Sequence, residues 1–501
     1  MANADSMNPA QPGKLKHPRG LYTLFFTELW ERLSYYGMRA ILVLAMVAAI
    51  KDNGLGLDDP TATAIYGLYT AGVYLLALPG GWLADRLFGL QQAVWYGGII
   101  IALGHFTMAI PTEFTFYLGM LLIVLGTGLL KPNVSAMVGE LYPEGGARRD
   151  AGFSIYYMGI NLGAIVGPLV CGYLGEKIDW HWGFGAAGVG MLIGLIQYRA
   201  TRHYLGDSGI APATTGDAER DEKRKSQAKM VLGIGVLTIA LLLGGTASGM
   251  ISIDPLAVAA STSYVIVGLA VLFFGAIYAF GDLDRTEKLH VGGIILFFIA
   301  AAVFWSGFEQ AGSSLNLFAE RYTDRTYFGW EMPASWLQMV NPLFIVILAP
   351  VFGSLWVRLA ARNLNPSLPT KLALGLIQLG LGFGIMFFAS ELVLSKGEVW
   401  PTWLIFTYLL HTTGELCLSP VGLSAVTKLA PKRFVGQMMG TWFMGAALGN
   451  LIAGLVAGRF GEENLEQMPE RFLTVTIFTC GFGLLMFVVL PWLKKLMGKV
   501  T

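Results

Sequence analysis

Apolar runs close to 20 residues, separated by short polar breaks, fill nearly the whole chain from Leu21 to Leu493. A helix needs about 20 such residues to cross the roughly 30 Å hydrocarbon core of a bilayer. The runs predict fourteen spanning helices, at about 21–50, 63–84, 92–111, 114–139, 151–175, 182–200, 230–249, 262–280, 290–320, 334–360, 371–390, 400–428, 434–457 and 471–493. One polar stretch interrupts the series: Leu205 to Lys229, with the charged run Glu219-Arg-Asp-Glu-Lys-Arg-Lys225, reads as a solvated linker. The expected organisation is a tail at 1–20, a six-helix bundle at 21–204, a linker with an inserted helical hairpin at 205–288, and a second six-helix bundle at 289–501.

Charge in the breaks gives a direction. One side collects Lys14, Lys16, Arg19, Arg86, Arg148, Arg149, the linker cluster, Arg285, Lys288, Arg358, Arg362, Lys371, Lys432, Arg433, Lys494, Lys495 and Lys499. The other side carries Asp58, Asp59, Asp254, Glu462 and Glu463, with Arg321 and Arg325 accompanied by Glu320 and Asp324. Cationic loops stay in the cytoplasm, so both termini are expected there. A weak internal repeat is present: Gly80-Gly81-Trp-Leu-Ala-Asp85-Arg86-Leu-Phe-Gly89 follows the second span, and Gly353-Ser-Leu-Trp-Val-Arg358 stands at the matching place in the second half. Glycine near a helix end allows close packing and a charge caps the end.

Composition agrees with a polytopic membrane chain. Hydrophobic residues make up 54% and charged residues 13%, against about 25% charged in soluble domains. Mean hydropathy is +0.58. A net charge of +1, with no basic run interleaved with aromatics, gives no footing for nucleic acid. The three cysteines, Cys171, Cys417 and Cys480, lie in apolar segments at no metal-ligand spacing and read as small core residues. The first span has no small-residue cleavage site behind a short apolar core and is expected to be retained.

Four ionisable residues break the apolar pattern of the first span. In Glu28-Leu-Trp-Glu31-Arg32-Leu-Ser-Tyr35-Tyr36-Gly-Met-Arg39, the residues Glu28, Glu31, Arg32, Tyr35, Tyr36 and Arg39 fall within an arc of about 140° at about 100° per residue. Trp30, Leu33, Gly37 and Ile41 lie opposite. Charges at membrane depth are costly and mark function or internal pairing. Glu28 and Arg32 can pair at i,i+4, which leaves Arg39 further along the stripe unexplained. Lys131 lies well inside the run from Phe116 to Val138, beside Pro132; buried there it needs a carboxylate partner or a shifted pKa, and the alternative is a side chain that snorkels to the membrane edge. Glu309 and Glu415 are mid-span carboxylates in the second half, and Asn161 and Asn341 are mid-span amides that can bind a ligand or tie helices together. Tyr35, Tyr74, Trp305, Phe308, Trp442 and Phe443 are pocket lining or ordinary packing. With Arg39 and Lys131 in one half and Glu309 and Glu415 in the other, a zwitterion held between the halves would meet a cation at one end and a carboxylate at the other.

Several motifs carry a resemblance. Gly81-x-x-x-Asp85-Arg86-x-x-Gly89 resembles the loop motif of the major facilitator superfamily. Glu28-x-x-Glu31-Arg32-x-x-Tyr35-Tyr36-Gly37 resembles the first-helix motif of the proton-dependent oligopeptide transporters. Gly126-Thr-Gly-Leu-Leu-Lys131-Pro132-Asn133, Phe153-Ser-Ile-Tyr-Tyr-Met-Gly-Ile-Asn161-Leu-Gly163, Phe304-Trp305, Glu309-Gln310, Asn341-Pro342, Gly414-Glu415, Ser419-Pro420 and Gln437-Met-Met-Gly-Thr-Trp442-Phe443 continue the likeness through nearly the whole chain. Leu33 stands where phenylalanine is frequent, and Phe308 stands where some members have a second acidic residue.

The resemblance implies an all-α integral membrane protein of the major facilitator fold, with two six-helix bundles and a two-helix insert. It implies a proton-coupled symporter of di- and tripeptides, with protons as the coupling ion, no metal, no other cofactor, and membrane lipid as surroundings. It assigns proton handling to Glu28, Glu31 and Arg32; Glu309 joins that set on charge pairing, because it can form an ion pair with Arg39 between the two halves. It assigns the peptide carboxylate to Arg39 and Lys131, the amine to Glu415 with Asn161 and Asn341, and pocket lining to Tyr35, Tyr74, Trp305 and Trp442. Gly81, Asp85, Arg86 and Gly89 would form the gating loop. Alternatives stay open: a relative moving nitrate, a drug or another zwitterion, a channel, or a membrane enzyme. Against an enzyme, there is no HExxH or GxSxG, and His105 and His411 are isolated; no GxxxxGK[ST] phosphate loop supports a primary pump.

Overall fold

The computed structural model describes residues 17–460 and 462–497, with backbone alone at 419–421, 423–424, 462–464 and 492–497. Lys14, Lys16 and Lys499 lie outside the described residues, as do the side chains of Ser419 and Pro420. The helices are α1 (Arg19–Val47), α2 (Asp59–Leu83), α3 (Leu90–Met108), α4 (Glu113–Glu140), α5 (Gly146–Lys177), α6 (Trp180–Thr201), α7 (Ala218–Ala247), α8 (Pro255–Phe280), α9 (Arg285–Phe308), α10 (Ser314–Arg321), α11 (Val340–Ala361), α12 (Leu368–Lys396), α13 (Thr402–Leu429), α14 (Val435–Ala457) and α15 (Met468–Met497). All except α10 have 19 residues or more. A two-residue hairpin pairs β1 (Thr326–Tyr327) with β2 (Trp330–Glu331).

Ten helical segments among the described residues are long and apolar enough to cross a membrane. The first helix does not pass that compositional test, because its four ionisable residues crowd one stretch. Helix starts follow side-chain caps. Asp58 accepts from Thr61 N, Asp254 from Leu256 N and Ala257 N, and Asp284 forms a capping box with Glu287.

Helices α1–α6 pack on one another, as do α9 and α11–α15, while α2 meets α14 and α5 meets α11 across the two halves. Small residues set these distances, as they do where lipid supplies no drive for helix association. A Cβ on Gly163 would stand 2.4 Å from Leu29 O, and one on Gly167 2.5 Å from Leu33 O, so α5 lies backbone to backbone on the helix that carries the charged stripe. The α7–α8 pair lies outside the bundles; α8 touches α2 and α14, and α7 buries only Ala228 and Gly245.

The structure corrects four expectations. The charged run at 219–225 is solvent-facing but already helical, forming the first turns of α7, because Asp217 accepts from Glu219 N and Arg220 N, and Glu219 and Asp221 suit the positive end of the helix. The helix expected at 290–320 breaks: α9 ends at Phe308, residues Glu309–Gly312 form a 3₁₀ turn, and Ser313 at φ −123°, ψ −99° redirects the chain into α10. Gly353 sits within α11 rather than at a helix end, with no atom near its hypothetical Cβ, so the glycine of the second copy makes no close helix contact. In the first copy, the close approach is at Gly80, whose Cβ would stand 1.9 Å from Gly128 O, while Gly81 has room.

Candidate functional site

A cavity of about 330 Å³ lies between the two halves, lined by Arg32, Arg39, Tyr74, Lys131 and Asn161 from the first and by Trp305, Glu309, Asn341 and Glu415 from the second, among others. Small-ligand sites usually span about 300–1,000 Å³.

The stripe on α1 forms two charge clusters. Arg32 Nε donates to Glu28 Oε1 at 2.7 Å and stands 2.9 Å from Glu31 Oε2. All three side chains are buried, and neither oxygen of Glu31 accepts a hydrogen bond among the described residues. Glu28 and Arg32 reach the cavity wall, while Glu31 lies behind them. Two turns on, Arg39 places one terminal nitrogen 3.0 Å from Glu309 Oε2, and its Nε donates to Tyr66 Oη at 2.6 Å. Glu309 opens the 3₁₀ turn after α9, so the Arg39–Glu309 pair joins the two halves. Arg39 also lies over the rings of Tyr36 and Tyr66, at 5.5 and 5.8 Å from their centroids.

On α4, Lys131 Nζ stands 4.2 Å from the centroid of Tyr74, which in turn lies 6.5 Å from Trp305. Across the cavity, Asn341 donates to Thr412 Oγ1 at 2.9 Å and to Glu415 Oε2 at 3.3 Å. Asn161 donates to Tyr157 O at 2.9 Å, one turn back on its own helix. The first half therefore brings Arg32, Arg39 and Lys131 to the cavity with Glu28, and the second half brings Glu309 and Glu415.

Two residues expected to line the pocket lie elsewhere. Tyr35 stacks on Tyr69, 6.1 Å between centroids, and its neighbour Tyr36 faces the cavity. Trp442 is buried against α13, where a Cβ on Gly422 would meet its ring at 1.9 Å. Aromatic side chains pack as readily as they line a pocket, and sequence alone does not separate these uses. Sequence reasoning also missed Tyr66, Tyr157, Gln338, Tyr408 and His411. Tyr408, His411 and Glu415 recur at helical spacing on α13, and Tyr157 precedes Asn161 by four, so that spacing was the available signal.

The halves close at the end where α1 stops and α2 begins. Arg321 grips Asp59 with two hydrogen bonds, of 2.6 and 2.9 Å. Asn316 and Gln338 donate to Ala40 O. Glu176 accepts from Ala334 N and Ser335 N at 2.7 and 3.0 Å, and Lys177 pairs with Glu331 at 3.1 Å. Toward the other end the cavity adjoins a second of about 680 Å³, sharing Ser135, Tyr157, Asn161 and Ile345 and bounded by Phe153, Val346 and Pro350. That is the end of the loop motif, where residues Ala84–Phe88 form a π turn and Arg86 lies 4.4 Å from the centroid of the Trp82 ring. Gly89 has φ 75°, and a Cβ there would stand 2.6 Å from Ile210 O, so only glycine lets the loop dock on the segment after α6. Asp85 accepts from Ala213 N through its backbone carbonyl.

Two helical bundles of the major facilitator fold around a charged cavity define a membrane transporter, not an enzyme. The chain belongs to the POT family, whose sequence model matches residues 91–213 and 273–470. It is 42% identical over 485 residues to the "Peptide transporter YePEPT" of Yersinia enterocolitica subsp. palearctica serotype O:3 (strain YE-P4), covering 94% of each chain. It is 35% identical over 506 residues to the "Di-/tripeptide transporter" of Lactococcus lactis subsp. cremoris, covering 99% of each. Among solved structures, a peptide transporter POT in complex with sulfate superposes with a TM-score of 0.88 at 42% identity, covering 97% of each chain.

Proposed function

We propose that the protein is a proton-coupled symporter that imports di- and tripeptides by alternating access. The observation that carries this reading is the placement of Arg39 and Lys131 opposite Glu415 and Asn341 in one cavity between the halves. A peptide is a zwitterion of fitting size, and the two named relatives are transporters of peptides. In this reading the peptide carboxylate approaches Lys131 and Arg39, and the amine approaches Glu415. The Asn161 and Asn341 amides bind the backbone, and Tyr74 and Trp305 accept varied side chains.

Protons are the coupling ion. Glu31 is buried and shares a single guanidinium, Arg32, with Glu28, so two carboxylates stand against one cation, which suits a group that carries a proton. Glu309, paired with Arg39, is the second acceptor. Ionised, it holds the halves together; protonated, it frees Arg39 for the peptide carboxylate. Glu28 and Arg32 complete the first cluster. Segments 21–204 and 289–501 move as two units, joined by 205–288, within membrane lipid and with both termini cytoplasmic. Gly81, Asp85, Arg86 and Gly89 form the loop that follows the cytoplasmic gate.

The test is dipeptide uptake into proteoliposomes under an imposed inward proton gradient, with free amino acids and N-acetylated dipeptides as competitors. Accumulation that collapses with a proton uncoupler, and strong competition by free dipeptides alone, is expected. Uptake indifferent to the gradient would overturn the coupling, and equal competition by free amino acids would overturn the substrate class.

A further inference from the structure

We propose that Tyr66 is a positioning residue that holds Arg39 in place for Glu309 and keeps holding it when that pair is broken. This rests on the reading of Arg39–Glu309 as the coupling pair. Arg39 approaches Glu309 Oε2 at 3.0 Å, yet that oxygen accepts no aligned hydrogen bond among the described residues. The aligned and shorter bond of Arg39 runs from Nε to Tyr66 Oη, at 2.6 Å. Tyr66 is fully buried on α2, so the bond stays within the half that carries Arg39.

A phenol oxygen accepts from a guanidinium whatever the charge on a neighbouring carboxylate. The contact to Tyr66 therefore survives protonation of Glu309. Without it, a buried guanidinium relieved of its carboxylate would lack a fixed partner at Nε, and its side chain would take other rotamers.

A second observation ties the phenol to the opposite half. Gly312 ends the 3₁₀ turn that Glu309 begins, and a Cβ there would stand 2.1 Å from Tyr66 Oη and 2.6 Å from its Cζ. The phenol is thus wedged between Arg39 and the backbone of the turn that presents Glu309. Closing the halves at this end seats Tyr66, and the seated phenol sets where the guanidinium points. Gly312 is required for that seat by contact rather than by backbone angle.

The experiment is peptide counterflow in proteoliposomes, which needs no proton gradient, measured for Tyr66→Phe, Glu309→Gln and the double variant, with folding checked by size-exclusion profile. With Glu309 present, Arg39 keeps one partner, and Tyr66→Phe is expected to lower counterflow about twofold. In the Glu309→Gln background the hydroxyl is the remaining anchor, and Tyr66→Phe is expected to lower counterflow about tenfold, a non-additive effect of the kind that groups in one network show. Equal losses in both backgrounds would make Tyr66 a packing residue and overturn the proposal, as would no loss in either. Gly312→Ala, which unseats the phenol without removing it, is expected to repeat the background dependence and carries the test if Tyr66→Phe does not fold. If Glu309→Gln alone still accumulates peptide against its gradient, the coupling pair itself is wrong, a result separate from the behaviour of Tyr66.

Discussion

Gly454→Ala is expected to part the halves at their closed end. Gly454 lies on α14 where it crosses α2, and a Cβ there would stand 2.4 Å from Thr63 O and 2.9 Å from Gly67 Cα. Both neighbours are backbone atoms, so no rotamer change makes room. Overpacking of this kind costs about 1–3 kcal/mol, and only the arrangement with α2 against α14 bears it. At about 1.4 kcal/mol per tenfold, the population shifts by about 5- to 150-fold toward the arrangement open at this end. The reporter is a cysteine at Ala164, which lines the cavity, in a chain whose Cys171, Cys417 and Cys480 are replaced. A membrane-impermeant maleimide added from outside is expected to label it at least about fivefold faster than in the parent, the low end of that range. Gly353→Ala is the control: its Cβ meets no atom, so labelling should not change. Labelling of folded Gly454→Ala no faster than the parent would refute both the contact's role and the cost assigned to it.

Two further outcomes are expected. Glu415→Gln should weaken competition by free dipeptides about tenfold, the loss of one hydrogen bond to a charged group, with a much smaller effect on N-acetylated dipeptides; equal loss for both in well-expressed protein would remove the amine role. Cysteines introduced one at a time should react from outside at Asp58 and remain protected at Glu222 and Lys499; outside labelling of position 222 would reverse the orientation assigned to the cationic loops.

The charged face of α1 was legible because ionisable groups in an apolar span are too costly to be incidental. The same argument found Lys131, Glu309 and Glu415, and the structure gathers all of them around one cavity. Aromatic positions were less legible, since burial against a helix and exposure to a cavity ask for the same side chains; Trp442 took the first use and Tyr36 the second. The break at Glu309 left no apolar signature: the turn Glu309–Gly312 follows α9 directly, and its close neighbour at Gly312, Tyr66, comes from another helix. Asp59 and Arg321, 262 residues apart, could not be matched as partners without the fold. The start of α7 lies earlier than expected for a local reason: the charged run is solvent-facing, but Asp217 and the acidic first turn are helix-start signals that carry the helix back to Ala218.

The central claim is that protonation of Glu309 breaks the tie to Arg39 and lets a loaded carrier change shape. Removing one partner of a buried ion pair costs about 3–5 kcal/mol, close to the roughly 5.5 kcal/mol that inverts a 1:99 population. On this account, one protonation at this pair would shift the gate substantially. The direct measurement pairs proton-driven uptake with peptide counterflow in the same liposomes for Glu309→Gln. The account predicts that accumulation against a gradient is lost while counterflow persists. Accumulation equal to the parent would contradict it and leave Glu28 and Glu31 as the carriers of the proton.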